Sequence, residues 1–293
     1  MSLNTNTLII AQLALGDSVI LIRQFIKKIE GTTNITVLCN SYNYFLFSEY
    51  DCLIEDWPIS RRKIEKIPFS FSAKNFDYIV LPSGHLREKI FARFRFINKK
   101  LYIPIYKNFK KLQRSNFYYL VNIKKIRLHN PNNWYEMYEQ AANIFLKILG
   151  LSYERKINKD EHNEKNQYIN GAIICPHSRG SGSYKNIPDE LLEHIIEALE
   201  PKCQNIYVVS ERSEFITKKD FSDKITYYSP QKAFIKFSKR SFKYGVFTDS
   251  FFNHFMYGKI KNHYTFFTKI DPYHAIAAPP LIKPFYGLDD INF

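Results

Sequence analysis

The chain has 293 residues, of which 45% are hydrophobic and 24% are charged. This composition is ordinary for a globular protein, and the length suits one large or two medium domains with a sizeable core. No run of about 18 apolar residues occurs, so no transmembrane helix is predicted. The N-terminus carries no basic segment ahead of its first apolar run, so we expect mature sequence rather than a signal peptide.

The four cysteines are widely spaced and form no CxxC pair. Cys39 and Cys175 lie in apolar runs that resemble strands, which predicts buried thiols. Unpaired thiols are typical of a reducing compartment, so we expect a cytoplasmic protein.

Basic residues exceed acidic residues by 42 to 28, which gives a net charge of +14. The excess is concentrated in segment 87–127, where 13 basic residues are interleaved with aromatic residues and Glu88 is the single acid. Such a segment predicts a polyanionic partner: nucleic acid, anionic lipid or a phosphorylated glycan. AT-rich coding, which inflates Lys, Asn, Ile, Tyr and Phe, is an alternative explanation for the excess, but it does not explain the clustering.

The first half of the chain alternates short apolar runs with helical periodicity, which is typical of βαβ units and a parallel sheet. The predicted elements are strand 7–14, helix 17–29, strand 34–39, a helix in the forties, strand 76–81, strand-like runs at 100–105 and 117–122, and helix 132–149. Residues 152–168 are polar and without apolar period, which predicts an interdomain linker.

The same alternation restarts after the linker. The predicted elements are strand 171–175, helix 188–199, strand 205–209, helix 211–219, strand 224–228, helix 230–239, strand 244–248, helix 250–257 and a final strand 264–267. The predicted fold class is therefore α/β, with two Rossmann-like doubly wound domains facing a cleft. The predicted boundaries are 1–151 for the first domain, 152–168 for the linker and 169–293 for the second domain.

Ligands of open α/β sheets bind outside the carboxyl ends of the strands, so the loops that follow strands are the candidate sites. The first such loop contains Gly16 and Asp17. Gly16 allows a tight turn and close approach to a ligand. Asp17 is open to two interpretations: an N-cap of the following helix, or a general base that deprotonates a hydroxyl nucleophile.

The second loop, "CPHSRGSGSYKNIPDE", is rich in Ser and Gly and ends with a lysine before a helix. Its amides at Ser178, together with Arg179 and Lys185, suit phosphate oxygens. The GxxxxGK[ST] spacing of a P-loop is absent, and Ser and Gly are also ordinary loop residues.

Two further loops complete the set. In "YVVSERSEF", Glu211 and Glu214 are candidates for ribose hydroxyls, with a solvated helix start as the alternative. In "YGVFTDSFFNHFMYG", Asp249 and Ser250 can cap a helix whose amides face an anion. His254 lies close to the same helical face and could reach a phosphate or a sugar, although a packed core histidine is the alternative.

Taken together, these loops resemble those of the glycosyltransferase family 9 heptosyltransferases, bacterial enzymes of lipopolysaccharide core assembly with a GT-B fold. The resemblance rests on five stretches in the family's order: "LALGDSVILIRQF", "RLHNPNNWYEMYEQAANIFLKILGL", "GAIICPHSRGSGSYKNIPDELLE", "TDSFFNH" and "YTFFTKIDPYH". Two positions depart from the family pattern. Phe251 and Ser210 stand where glycines are usual, and the Phe251 ring could crowd a phosphate or tilt the loop.

The resemblance implies an inverting, metal-independent transfer of a sugar from a nucleotide diphosphate sugar, usually ADP-heptose, with no cofactor. Asp17 would be the general base and Lys185 would neutralise the leaving diphosphate. The resemblance further implies that Asp249, Ser250 and His254 bind the diphosphate and that Glu214 contacts the ribose. From the loops and the resemblance together, the predicted donor-binding residues are Gly16, Ser178, Arg179, Glu214, Asp249, Ser250 and His254.

The implied acceptor is an anionic glycolipid or glycan, which gives the basic segment 87–127 a role at the inner leaflet of the membrane. We therefore expect a cytoplasmic protein peripherally attached to the inner membrane. We expect no nucleic acid partner, because no RNP, GxxG or helix-turn-helix signature occurs in context. Three alternatives stay open: a transferase that uses another nucleotide sugar, an inactive relative, and a polyanion-binding module.

Overall fold

In the computed structural model the chain divides into two compact units, Met1–Glu154 and Arg155–Phe293. The structure describes residues 5–54, 56, 76–82, 134–151, 167–178, 185–211, 223–268, 282–291 and 293, and the backbone of 100–104 and 123–126. The predicted strand-like run 117–122, helix 211–219 beyond its first residue, and most of the predicted linker lie outside the described residues.

The first unit contains a six-stranded parallel sheet with the strand order β3-β2-β1-β4-β5-β6. Its strands are β1 (Asn6–Ala11), β2 (Asn34–Cys39), β3 (Asp51–Ile54), β4 (Tyr78–Val80), β5 (Lys100–Pro104) and β6 (Ile123–Ile126). The central strand β1 pairs with β2 in the register Ile9↔Val37 and with β4 in the register Ile9↔Val80. This is the order of a dinucleotide-binding Rossmann domain.

One long helical segment follows β1. It comprises α1 (Leu15–Leu21), a π-helical stretch (Ile22–Ile26) and α2 (Lys27–Ile29). It packs against α3 (Trp134–Ile148), where the Phe25 and Phe145 rings lie 5.8 Å apart. Because these apolar side chains are fully buried, their removal from water stabilises the unit. The helix predicted in the forties is a single 3₁₀ turn, Tyr44–Leu46.

The second unit repeats this topology with the order β12-β11-β10-β7-β8-β9, again all parallel. Its strands are β7 (Ile169–Cys175), β8 (Asn205–Val209), β9 (Ile225–Tyr228), β10 (Phe242–Thr248), β11 (Ile260–Phe266) and β12 (Ile282–Phe285). The helices among the described residues of this unit are α4 (Asp189–Leu199), α5 (Pro230–Phe237) and α6 (Phe251–Met256). Numbered within the unit, the order is again 3-2-1-4-5-6 from one edge to the other.

The prediction that the strand at 264–267 ends the second unit is wrong. β12 (Ile282–Phe285) follows it and pairs with β11 in the register Thr265↔Pro284. Pro284 cannot donate a ladder hydrogen bond, but β12 is the edge strand of its sheet, where a proline is tolerated. Because a proline argues against a strand, the sequence pattern of this four-residue run does not predict the edge strand β12.

The predicted buried thiols are found. Cys39 and Cys175 are free and buried, and burial raises the pKa of each thiol to about 12. Both groups are therefore protonated at neutral pH and suited to packing rather than to nucleophilic chemistry.

Gly245, in the middle of β10, provides a test of this packing. A Cβ there would lie 2.6 Å from Cε2 of Phe247 and 2.9 Å from Cγ2 of Ile260. Because the Phe247 ring is fully buried and contacts His263, it has little room to move. We expect Gly245→Ala to lower the free energy of unfolding by about 1–3 kcal/mol, measured by urea denaturation.

Gly287→Ala is the matched control, because a Cβ at Gly287 meets no atom within 4 Å. It should change the unfolding free energy by less than about 0.5 kcal/mol. Equal stability of the two variants would contradict the described packing around β10.

Candidate functional site

The polar residues of the second unit gather where its strand order reverses, at the carboxyl ends of β7 and β10. Ser178 lies three residues past β7, and Asp249 and Ser250 follow β10 directly. A reversal of this kind leaves a crevice outside the strand ends, which is where open α/β sheets bind ligands. The second sheet therefore has a candidate binding site at its centre.

An ion pair stands at this position. Lys185 Nζ lies 2.7 Å from Asp249 Oδ2, and the two side chains are only 16% and 13% exposed. His254 Nε2 lies 3.8 Å from the other carboxylate oxygen, Oδ1. Asp249 therefore lies between a lysine from the loop before α4 and a histidine from α6. The structure thus brings three predicted site residues, Lys185, Asp249 and His254, together through side-chain contacts.

The loop that follows β7 forms hydrogen bonds between its two ends and a further contact with the residue after β8. The Ser178 backbone N–H donates to Asn186 Oδ1 at 3.0 Å, and the Ile187 N–H donates to the Pro176 carbonyl at 2.9 Å. His177 Nδ1 lies 3.0 Å from the hydroxyl of Ser210, at the end of β8. These contacts bring the two ends of the loop together. Arg179, between them, lies outside the described residues.

Sequence reasoning did not identify His177 or Asn186 as parts of this site. Both stand in the quoted loop, but their roles depend on partners that only the folded chain brings near. Ser210, noted as a departure from the family pattern, has a specific contact in this chain: its hydroxyl meets His177. Glu214 lies outside the described residues, and the predicted ribose contact there stays a prediction.

Ser250 occupies the N-cap position of α6 with extended backbone angles, but its side chain makes no capping hydrogen bond in the described structure. Its hydroxyl instead lies 3.9 Å from the Cys175 thiol. The helix has six residues, all of them aromatic, apolar or amide-bearing except His254. Ser250 therefore contacts the end of β7 and does not cap α6 with its side chain.

Phe251, which stands where the family has glycine, packs with other aromatic rings. Its centroid lies 5.9 Å from Phe234 of α5, 5.1 Å from Phe252 and 5.8 Å from Phe255. The ring therefore packs α6 against α5. Such aromatic contacts contribute about 0.5–1.5 kcal/mol per pair beyond simple burial.

In the first unit the connection from β1 to α1 lies earlier in the chain than the predicted turn at Gly16 and Asp17. The helix begins at Leu15, so Gly16 and Asp17 belong to its first turn and Ala14 is the N-cap. The N-cap interpretation of Asp17 is therefore wrong, and the turn itself falls at residues 12–14. Asp17 is partly exposed, and a carboxylate in a first helical turn is favoured by the helix dipole.

Within the described part of the chain, no group of His, Cys, Asp and Glu side chains is arranged to hold a metal ion. None of the helices in that part of the chain is both long and apolar enough to cross a membrane.

The fold matches solved structures along almost the whole chain. E. coli heptosyltransferase WaaC with ADP has a TM-score of 0.67 at 14% identity, with 98% of this chain and 94% of that chain covered. E. coli ADP-heptose lps heptosyltransferase II has a TM-score of 0.64 at 13% identity, with 96% and 90% covered. The glycosyl transferase family 9 structure from Veillonella parvula has a TM-score of 0.65 at 13% identity, with 99% and 88% covered.

These matches define the class of fold. The predicted α/β class and GT-B fold are confirmed, and the resemblance to glycosyltransferase family 9 is confirmed as a likeness of fold. The amino-acid sequence matches no protein-family model and no curated protein.

The Lys185–Asp249 pair can be tested by a double-mutant cycle with Lys185→Met and Asp249→Asn. Because each single variant leaves a mostly buried polar group without its partner, we expect a coupling free energy of about 1–3 kcal/mol in urea denaturation. The matched surface pair is Lys27 with Glu30, whose side chains are 46% and 47% exposed. Its cycle should give less than about 0.5 kcal/mol. Equal coupling in the two cycles would show that the Lys185–Asp249 pair is not formed in solution.

Proposed function

We propose that the chain is a glycosyltransferase that moves a sugar from a nucleotide diphosphate sugar to an acceptor hydroxyl with inversion. The proposed donor is ADP-heptose, and the proposed acceptor is a lipopolysaccharide or lipooligosaccharide core or a related surface glycan. The observation that carries this proposal is the cluster of Lys185, Asp249 and His254 at the centre of the second sheet. The likeness of fold to WaaC, a heptosyltransferase solved with ADP, supports it.

The leaving group determines what this cluster has to supply. In the proposed transfer the bond between the anomeric carbon and the diphosphate oxygen breaks, and negative charge develops on the diphosphate. Lys185 is proposed to neutralise that charge, which a fixed cation in a poorly hydrated site does effectively. The Asp249 carboxylate has no hydrogen to donate to a phosphate oxygen and would repel it. We therefore propose that this side chain orients Lys185 and His254.

Asp17 is proposed as the general base that removes the proton from the acceptor hydroxyl as it attacks the anomeric carbon. It is the carboxylate that the first helical turn presents after β1. Gly16 before it carries no side chain to obstruct a ligand. Ser178, Arg179, Glu214 and Ser250 are proposed as further donor contacts. The proposed step needs no metal ion and no cofactor, because Lys185 supplies the positive charge.

Asp17→Asn tests the base directly. The amide keeps the size of the side chain but takes up no proton, so kcat for transfer from ADP-heptose to a core-oligosaccharide acceptor should fall by about 10²–10⁴-fold. The Kd for ADP, measured by calorimetry, should stay within about twofold, because the base is not assigned to the nucleotide. Full activity of Asp17→Asn would show that another group takes the proton.

Lys185→Met tests the donor site. Loss of a charge-assisted hydrogen bond to phosphate should raise the Kd for ADP by about 10–100-fold. Lys202→Met is the matched control, because Lys202 lies at the amino end of β8 and donates to the Phe293 carbonyl. An equal loss of ADP affinity in the control would mean that overall charge, rather than a specific contact, binds the nucleotide.

The basic segment 87–127 is proposed to contact the anionic acceptor and the inner leaflet of the membrane. Most of it lies outside the described residues, apart from the backbone of β5 and β6. Each lysine near an anionic surface contributes about 1 kcal/mol of attraction. Replacing Lys107, Lys110 and Lys111 by Glu should therefore weaken binding to phosphatidylglycerol-containing vesicles at least tenfold.

The matched control for this measurement changes the net charge equally elsewhere. Lys232, Lys239 and Lys261 are exposed residues of the second unit, and their replacement by Glu should weaken vesicle binding much less. Similar losses in both triple variants would contradict a localised membrane contact. Added salt should weaken the binding of the unmodified chain, because exposed charges are screened.

A further inference from the structure

The connection that leads to Asp17 is held by residues that follow the neighbouring strand. Residues 12–14 join β1 to α1, and residues 40–43 follow β2 at the same edge of the sheet. Asn43 is fully buried, although asparagine is usually exposed. A buried amide is costly unless its hydrogen-bonding groups are used, so its partners indicate its task.

Those partners lie on both sides of Asp17 along the chain. Asn43 Nδ2 lies 3.2 Å from the carbonyl oxygens of Ala11 and Leu13, before Asp17. It also lies 3.2 Å from the hydroxyl of Ser18, directly after Asp17. The other amide atom, Oδ1, accepts the Asn40 backbone N–H at 2.9 Å, which determines the orientation of the amide.

Tyr42 provides a second connection. Its hydroxyl donates to the Leu13 carbonyl at 2.6 Å, so this carbonyl accepts hydrogen bonds from two consecutive residues of the β2 loop. The Tyr42 side chain is 51% exposed, so burial of its ring does not account for its position. Ser18 in turn donates from its hydroxyl to the Ala14 carbonyl at 3.0 Å, which joins the N-cap to the residue after Asp17.

We infer that Asn43 and Tyr42 are positioning residues for Asp17. They set the path of the backbone on either side of it and thereby the direction in which its carboxylate points. A general base must lie within hydrogen-bond reach of its proton, and a displacement of about 1 Å can cost about 100-fold in rate. The inference rests on the proposed function for the role of Asp17, whereas the hydrogen bonds stand independently of it.

The experiment uses three variants of the full chain. Asn43→Asp keeps the acceptor for Asn40 but replaces the Nδ2 donor with an oxygen that faces two carbonyls. Tyr42→Phe removes only the hydroxyl. Thr33→Val is the matched control, because the buried Thr33 hydroxyl lies 2.8 Å from that of Thr7 and donates to the Thr5 carbonyl, at the opposite end of β1.

Hydrogen exchange is the first readout, since it needs no substrate. Amides of residues 13–19 should exchange at least about tenfold faster in Asn43→Asp and about two- to tenfold faster in Tyr42→Phe. Thr33→Val should leave their exchange unchanged. Unchanged exchange in Asn43→Asp and Tyr42→Phe, or an equal increase in Thr33→Val, would overturn the inference.

Transfer kinetics are the second readout. In Asn43→Asp, kcat should fall at least tenfold while the KM for ADP-heptose and the Kd for ADP stay unchanged, and Tyr42→Phe should retain more of kcat. Faster exchange with an unchanged kcat would overturn the positioning role. If the unmodified chain transfers no sugar although it is folded, the proposed function fails. The exchange data then decide by themselves whether the two residues hold the connection.

Discussion

The strand order of each sheet reverses at its centre, between β1 and β4 in the first unit and between β7 and β10 in the second. At such a reversal the connections leave neighbouring strands toward opposite faces, so the strand ends between them are not covered by a helix. Polar side chains can reach water there while the strands remain buried. In the second unit the connections that follow β7 and β10 carry Ser178, Lys185, Asp249 and Ser250. In the first unit, Asp17 lies in the first turn of α1, directly after the connection that leaves β1.

The ion pair between Lys185 and Asp249 places two opposite charges at the strand ends of the second unit. Removing a lysine and a carboxylate from water is costly, and their mutual attraction offsets that cost only with close geometry. The 2.7 Å contact provides such geometry, and His254 lies near the second carboxylate oxygen. A cation held in place before a substrate arrives needs little reorganisation during a reaction. In the proposed function, the carboxylate of Asp249 orients this positive charge.

Much of the fold was predictable because parallel strands buried on both faces give continuous apolar runs. β2 and β8 begin and end at the predicted residues. Three strands fall outside the predicted ones, β3, β6 and β12, and each is an edge strand of four residues. β3 is largely exposed and β12 contains a proline, so neither shows a buried apolar run. β6 begins directly after the predicted run 117–122.

The site was predictable only in part. Asp249, Ser250 and Lys185 were identified because they follow strands or precede a helix, which a linear pattern can show. The pairing of Lys185 with Asp249 joins residues 64 positions apart, and no local pattern encodes it. The positions of Gly16 and Asp17 within the helix are not predictable from a capping signal, because Ala14 at the N-cap has no side chain that can cap. The role of Asn43 is not predictable from a local pattern, because its partners Ala11, Leu13 and Ser18 lie 25 to 32 positions earlier in the chain.

We propose above all that the second unit binds a nucleoside diphosphate at the centre of its sheet. Calorimetric titration of the folded chain with ADP, UDP, GDP and CMP, each in a separate run, measures this binding. We expect saturable binding of ADP in preference to the other three. Preference for another nucleotide would contradict the assigned donor. Binding of none of the four by a folded protein would contradict the transferase proposal itself.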